Sequence, residues 1–283
     1  MKTYFECFPC FVEQAIRASR LVTDDEAKIK AIVDQVGAHF CEIPLTNTPP
    51  ATGVFVYAKV REVTGVADPY LEIKKQSIDQ VLELYSSLET MVEQAEDPLL
   101  MAIRLATIGN VLDFGISRRY NLMEEVEKVH DMNYAIFHYE QFREQLQKAS
   151  EVLYIGDNAG ESVFDRLLIK VLGKAVTYVV RGAPIINDVI VQDALDSGIG
   201  EVARIVSSGS TAPGTILSLC NDDFLERFKN AELVISKGQG NYEGLSDVNR
   251  QVFFLLRAKC PVIARNIGVE LNDYVFQDGR QKP

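Results

Sequence analysis

Two short apolar runs of the sequence are each followed by carboxylate and amide side chains. Asp157 and Asn158 directly follow the first run, and Asp188 follows the second after a turn containing glycine and proline. Carboxylate and amide oxygens are the hard ligands that small divalent cations prefer in proteins. We therefore interpret Asp157, Asn158 and Asp188 as ligands of one divalent metal ion (Mg, Mn, Co or Ni). Either turn alone would support only a structural role, because Asp and Asn are common turn residues.

Three further polar residues, Glu161, Ser208 and Lys237, suit the chemistry of phosphate. Ser208 stands in a run of small residues, 207–211, that can approach an anion closely, and Lys237 begins a glycine-rich turn. A metal ion polarises phosphoryl oxygens, and a lysine neutralises charge that develops in the transition state. We expect Asp157, Glu161 and Lys237 to be catalytic, and Ser208 and Lys237 to hold phosphate. The sequence leaves open whether Asp157 or a water attacks, and whether Glu161 is a base or an orienting group.

These candidates are positioned by apolar β-branched runs that alternate with helical patterns. Such alternation is typical of a parallel sheet covered by helices. Adjacent parallel strands place their carboxyl ends at one edge of the sheet, where open α/β sheets bind ligands. We therefore expect the candidate residues to share one cleft. The predicted strands are residues 151–155, 175–180, 202–206, 233–235 and 261–264.

The first half of the chain has helical patterns and no strand run that we can identify. An aspartate followed by proline, at 68–69 and again at 97–98, predicts two helix starts, the first of a helix from 70 to about 96. The predicted fold is α/β, with a helical N-terminal half packed on a Rossmann-like parallel sheet that has helices on both faces. We divide the chain into an all-helical domain, 1–150, and an α/β domain that binds metal and phosphate, 151–283.

The composition excludes several classes of partner. A formal net charge of -11 argues against nucleic acid and against anionic membrane surfaces. No apolar run approaches the roughly 20 residues that a membrane-spanning helix needs. The cysteines are scattered and odd in number, five, which fits a reducing compartment better than a disulfide framework. We expect a cytoplasmic protein that acts on a small molecule.

Other kinds of binding site have weaker support in the sequence. Lys237 precedes its glycines, so the chain has no Walker-type phosphate loop, and the turn at 156–161 lacks the dinucleotide-binding glycine pattern. The three histidines have no metal-ligand spacing, which argues against a zinc site. Cys7 and Cys10 form a single CxxC outside the predicted strand-end cluster. We interpret the pair as core or subfamily-specific residues, with redox or metal chemistry as a minority option.

Taken together, several spaced motifs resemble the damage-control phosphatase family, a former domain of unknown function with an ARMT-like metal-binding fold. The resemblance covers nearly the whole chain, and the CxxC is typical of the short, mainly prokaryotic subfamily. The matching segments are the CxxC at 7–10 with Gln14, GNxxDFG at 109–115, GDNAGE at 156–161, RGAPIIND at 181–188 and KGQGNYE at 237–243.

The resemblance implies a metal-dependent phosphatase that acts on phosphorylated sugars, cofactor precursors or their damaged forms. It implies the same three metal ligands, and Lys237 matches the lysine that contacts phosphate. Asn110 and Asp113 match positions that face the cleft. The local pattern alone leaves these two residues open between a helix C-cap and a place in the cleft. With the resemblance, we predict that they bind substrate.

The predicted function is therefore hydrolysis of small phosphomonoesters, either sugar phosphates or damaged phosphometabolites, with one divalent metal ion. One alternative is a carboxyl methyltransferase that binds S-adenosylmethionine in the same crevice. That alternative needs an acidic residue at the end of the second strand to hold the ribose, and Arg181 stands there. A second alternative is a metal- or metabolite-binding protein without enzymatic activity, which would use the same ligands.

Overall fold

The computed structural model describes residues 1–109 and 126–281 of the chain. Within these residues the predicted α/β class is confirmed, with one seven-stranded, mostly parallel sheet flanked by helices. The described residues contain no helix long and apolar enough to cross a membrane.

Local sequence sets the ends of the N-terminal helices. Asp25 accepts hydrogen bonds from two backbone N–H groups in the first turn of α2 (Glu26–His39). Helix α3 (Pro49–Thr64) is followed by its C-cap Gly65, whose φ is 74°. The single helix predicted from 70 to about 96 is two helices, which keeps the apolar faces of both on one core. The helices are α1 (Cys7–Arg20), α2 (Glu26–His39), α3 (Pro49–Thr64), α4 (Leu71–Leu82), α5 (Tyr85–Gln94) and α6 (Pro98–Gly109).

Strands and helices alternate in the rest of the chain, as the sequence predicts. Short 3₁₀ turns lie at Ile199–Glu201 and Leu217–Leu219, as well as at Phe40–Glu42 between α2 and α3. The order is β1 (Tyr134–Phe137), α7 (Tyr139–Lys148), β2 (Glu151–Ile155), α8 (Glu161–Leu172), β3 (Ala175–Val180), α9 (Val191–Asp196), β4 (Arg204–Ser207), α10 (Asp222–Asn230), β5 (Leu233–Lys237), α11 (Gln239–Leu245), β6 (Phe253–Arg257), α12 (Pro261–Ile267) and β7 (Tyr274–Asp278).

The sheet has the strand order β1-β7-β6-β5-β2-β3-β4. Strands β6, β5, β2, β3 and β4 are parallel, β7 is antiparallel to β6, and β1 is parallel to β7. Numbered by their order in the chain, the parallel strands run 3-2-1-4-5 from β4 to β6, which is the Rossmann order without its sixth strand. The strand order reverses between β2 and β5. Ligands of open α/β sheets bind at such a switch point, beyond the carboxyl ends of the strands.

Three strand predictions are wrong or incomplete. Residues 261–264, predicted as a strand, form α12, because Pro261 occupies the first helical position and Cys260 caps the helix. Strands β6 and β7 were not predicted. Strand β1 lies within the half that we expected to be all-helical, so that expectation is wrong at Tyr134–Phe137. The division of the chain near residue 150 stays a prediction.

Both faces of the sheet are buried. Val152 and Tyr154 of β2 lie in one apolar cluster, and Leu153 and Ile155 lie in the cluster on the other face. This is why the central strands are continuous apolar runs in the sequence rather than alternating ones. A third cluster joins α1, α2 and α3, and it includes Ile185 from the segment that follows β3. The N-terminal helices therefore pack directly on the loop that carries Asp188.

Candidate active site

A cavity of about 270 Å³ lies at the carboxyl ends of β2 and β3, at the switch point of the sheet. Side chains from both halves of the chain line it. The sheet side contributes Asp157, Asn158 and Asp188, and the helical side contributes residues of α1 and α3, among them Cys10 and Gly53. The predicted cleft at the edge of the sheet is therefore present.

Backbone hydrogen bonds bring the three predicted metal ligands together. Asn158 and Asp188 form an isolated antiparallel β-bridge. The N–H of Val189 donates to the carbonyl oxygen of Asp157 at 2.8 Å, and the N–H of Ala159 donates to that of Asn187 at 2.8 Å. Because the loops after β2 and β3 are joined in this way, residues 31 positions apart in sequence stand side by side (188 minus 157).

A third loop closes on Asp157. The backbone at Gly238, directly after β5, has a φ of 75°. A Cβ atom at this position would lie 1.9 Å from Oδ2 of Asp157. Glycine is therefore required here both for the backbone conformation and for the close approach to the carboxylate.

A buried arginine contacts the acidic residues on the side away from the cavity. Arg181, at the end of β3, is 1% exposed, and its Nε donates to Oδ2 of Asp188 at 2.7 Å. One of its terminal nitrogens lies 4.0 Å from Oδ1 of Asp157. The other contacts of the guanidinium are with Thr215 at 3.2 Å and Asn241 at 2.8 Å.

The electrostatics of the site favour an additional positive charge. Burial raises the pKa of Asp157 well above its usual range, and the carboxylates of Glu161 and Asp188 raise it further, against the effect of Arg181 and Lys259. Burial also raises the pKa of Asp188, although Arg181 opposes the shift. Two carboxylates and one amide, Asn158, form a donor set that suits a hard divalent cation.

Glu161 and Lys237 lie beneath the cavity rather than on its surface. Both are fully buried, and Nζ of Lys237 donates to Oε2 of Glu161 at 3.1 Å and to Oδ1 of Asp165 at 2.7 Å. The amide nitrogen of Asn158 donates to Oε1 of Glu161, and to Oδ2 of Asp157 at 3.2 Å. This assignment leaves the amide oxygen of Asn158 as its atom for a cation. The direct contacts of Lys237 are thus carboxylates, and its role as a phosphate contact stays a prediction.

Of the remaining predicted phosphate ligands, the described residues include only Ser208, and it does not line the cavity. Ser208 is fully buried outside the cavity lining, and its hydroxyl accepts from the backbone N–H of Ser210 at 3.4 Å. Asn110 and Asp113 lie outside the described residues. Gly109, the last residue described before them, packs against Glu161, with a Cβ position 3.4 Å from its Cα.

Three charged residues that were not predicted from the sequence line the cavity, and one of them, Glu6, stands just before α1. Lys259 follows β6, and Glu243 belongs to α11. Burial raises the pKa of Glu243 to about 8. Lys259 was missed because β6 was not predicted, so its position after a strand could not be recognised.

The CxxC pair also lines the cavity, although the sequence placed it outside the strand-end cluster. Cys7 and Cys10 lie on the first turn of α1, and Cys260 stands in the same lining. Burial raises the pKa of Cys7 to about 11 and raises the pKa of the other two thiols as well. No group of three or more His, Cys, Asp or Glu in the described residues is arranged to hold a metal ion.

The comparisons with known proteins identify the family of this chain. Residues 3–275 match the family model of the damage-control phosphatase ARMT1-like domain. The chain is 33% identical to an uncharacterized protein of Methanocaldococcus jannaschii, an alignment that covers 96% of this chain and 93% of that protein. It is 32% identical to a damage-control phosphatase of Pyrococcus horikoshii, with 95% of each chain covered.

A third relative and a solved structure are also similar to this chain. A damage-control phosphatase of Archaeoglobus fulgidus is 32% identical over 95% of this chain and 96% of that protein. The crystal structure of a DUF89 family protein from Pyrococcus horikoshii superimposes with a TM-score of 0.90 at 30% identity, covering 99% of both chains. The chain therefore belongs to the damage-control phosphatase family with the ARMT1-like domain.

Proposed function

We propose that this protein is a metal-dependent phosphatase that hydrolyses small phosphomonoesters. The observation that carries the proposal is the convergence of Asp157, Asn158 and Asp188 on one cavity at the switch point of the sheet. The two relatives named as damage-control phosphatases match this chain over 95% of its length. Their names support a damaged phosphometabolite as the substrate class. The resemblance found in the sequence adds sugar phosphates to this class.

Asp157, Asn158 and Asp188 would hold one divalent cation, Mg, Mn, Co or Ni. When bound, such a cation polarises the phosphoryl oxygens and offsets the charge that develops on them. The side chains are already grouped by the backbone bonds between their loops. The arrangement therefore costs little reorganisation when the cation binds. Asp157 is the carboxylate at the centre of this group, since the loops after β3 and β5 both close on it.

Two lysines would then have different roles. Lys259 lines the cavity, and its positive charge lowers the pKa of Asp157. We therefore assign to Lys259 the contact with the phosphoryl oxygens. Lys237 is fully buried against Glu161, and Glu161 bonds Asn158. This chain of contacts supports an orienting role for Lys237 in place of the direct contact that the sequence predicts. Glu161 would fix the amide of Asn158 so that its oxygen faces the cation.

The cavity supports a small substrate. Its volume of about 270 Å³ is near the lower limit of ligand pockets. Helix α1 contributes Cys7, Cys10 and Gln14 to the wall, so this helix would contact the group that leaves with the ester oxygen. We also propose that the protein belongs to the CxxC-containing subfamily and works in the cytoplasm without nucleic acid or membrane partners. The five free cysteines and the acidic charge support this location.

The test is release of inorganic phosphate from a panel of phosphomonoesters by protein freed of metal with a chelator. We expect little turnover without metal and recovery on addition of Mn, Mg, Co or Ni. A methyltransferase or a protein that only binds ligand would release no phosphate under any of these conditions. Full turnover by the chelated protein would contradict metal dependence, and an absence of turnover across the panel would contradict the phosphatase proposal.

A further inference from the structure

Arg181 makes its contacts within the site and yet does not reach the cavity. Its side chain is 1% exposed, and it is absent from the residues that line the cavity. The guanidinium donates to Oδ2 of Asp188 at 2.7 Å, to the hydroxyl of Thr215 at 3.2 Å and to Oδ1 of Asn241 at 2.8 Å. A group shielded in this way cannot contact the substrate, so its effect must pass through these neighbours.

Asn241 extends these contacts to two other strands. Its amide nitrogen donates to the carbonyl oxygen of Gly156, just after β2, at 3.0 Å and to that of Lys237, the last residue of β5, at 2.8 Å. Its oxygen accepts from both Arg181 and Thr215. One network of buried hydrogen bonds therefore joins the ends of β3, β2 and β5, which are the strands on either side of the switch point.

The same guanidinium stands between the two carboxylates. It bonds one oxygen of Asp188 and lies 4.0 Å from an oxygen of Asp157. This fixes the rotamer of Asp188 and offsets part of the repulsion between the two acids, so that they can stand close together before a cation arrives. A lysine could not reproduce the arrangement, because an ammonium lacks the planar fork that bonds three partners in fixed directions.

We propose that Arg181 is the positioning residue of the metal site, holding Asp188 directly and the ends of β2 and β5 through Asn241. The inference rests on the proposed function, because it assumes that Asp157 and Asp188 bind the cation. Residues that hydrogen-bond metal ligands commonly influence metal affinity, and their loss costs about 10–100-fold in affinity or activity. No conformational change is required, since the network is complete in the structure.

The experiment measures the Kd of Mn²⁺ by calorimetry for the wild-type protein and for Arg181→Gln, Arg181→Lys and Thr215→Val. We expect about 10–100-fold weaker binding for Arg181→Gln. The Lys variant should also bind more weakly, because it keeps the charge and loses the fork. Thr215→Val should show a smaller loss, since it removes one partner of the network and leaves the guanidinium in place.

Arg250 provides a matched control. It is a partly buried arginine before β6, at the opposite end of the strands, and it donates to the carbonyl oxygen of Ala231 at 2.7 Å. Arg250→Gln should lower the melting temperature without changing the Kd of Mn²⁺. Circular dichroism identifies the variants that fold, and if Arg181→Gln does not fold, the Lys and Thr215 variants decide the question.

The outcomes separate this inference from the proposed function. If the wild-type protein binds Mn²⁺ and the folded Arg181 variants bind it equally well, the positioning role is overturned and the metal site stands. If the wild-type protein binds none of Mn²⁺, Mg²⁺, Co²⁺ and Ni²⁺, the proposed metal site fails and the inference fails with it. Weaker binding by the Arg181 and Thr215 variants alone, with Arg250→Gln unchanged, supports the inference.

Discussion

The α-carbon of Gly238 stands against the carboxylate of Asp157 so closely that a Cβ atom would lie 1.9 Å from Oδ2. The loop after β5 therefore packs against the side chain of Asp157 in the turn after β2, across the switch point of the sheet. This contact links the glycine-rich segment at 237–243 to the candidate metal ligands. It also shows why a glycine is needed between Lys237 and α11.

Gly238→Ala should displace Asp157 and weaken both metal binding and phosphate release. The variant should also lose about 1–3 kcal/mol of unfolding free energy, because its φ of 75° and ψ of 163° suit only glycine. Gly65→Ala is the control, since Gly65 has a φ of 74° with no atom within 4 Å of its Cβ position. If Gly238→Ala kept wild-type metal affinity, the close approach to Asp157 would be irrelevant to the site.

Lys237 and Lys259 should respond differently to replacement by methionine. Lys237→Met leaves Glu161 and Asp165 buried without their cation, a change that typically costs about 3–5 kcal/mol of unfolding free energy. Lys259→Met should unfold like the wild type and lose about 10²–10³-fold in kcat, as expected for a lost contact to the transition state.

Urea unfolding and phosphate-release kinetics on both variants test this contrast. The opposite pattern, with a stable but slow Lys237→Met and a fully active Lys259→Met, would show that Lys237 reaches the phosphate, as the sequence predicts. Arg250→Gln serves again as a destabilised variant whose site is intact.

Much of the fold could be predicted, because β2 and β3 are buried on both faces and therefore appear as continuous apolar runs. The metal-ligand candidates could also be predicted, since they lie in the turns that follow those strands. The edge strand β1 could not, because its apolar run, YAIF, has only four residues, too few to distinguish a strand from the helical patterns around it, and in the structure these residues alternate between partly buried and exposed positions. Lys259 was missed because β6 was not predicted. The place of Ser208 outside the cavity lining could not be predicted, because strand ends alone do not determine which side chains turn into a cavity.

The thiols provide a negative prediction. Replacing both Cys7 and Cys10 by serine should leave kcat within about tenfold, a barrier change below about 1.4 kcal/mol. Burial raises the pKa of both thiols, so they are protonated and weak as nucleophiles and ligands at neutral pH. Because both side chains line the cavity, KM should change more than kcat. A complete loss of turnover with normal Mn²⁺ binding would place the pair in the chemistry.

Glu243 should make stability depend on pH. Burial raises its pKa from 4.5 to about 8 in the folded protein, so the folded state binds a proton that the unfolded state releases. The contribution of this group to stability is greatest below pH 4.5 and is lost as the pH rises to about 8. Glu243→Gln should therefore become more stable relative to the wild type across this range, as urea unfolding would show. A constant difference between the two proteins would contradict the raised pKa.

The central claim is that Asp157 and Asp188 hold one divalent cation that phosphate release requires. The most direct measurement titrates Mn²⁺ into metal-free wild-type protein, Asp157→Asn and Asp188→Asn while following both calorimetric binding and phosphate release in the same samples. We predict one ion bound by the wild type, with activity that follows its saturation, and loss of both in each folded variant. Activity that persists in either variant after chelation would contradict the claim.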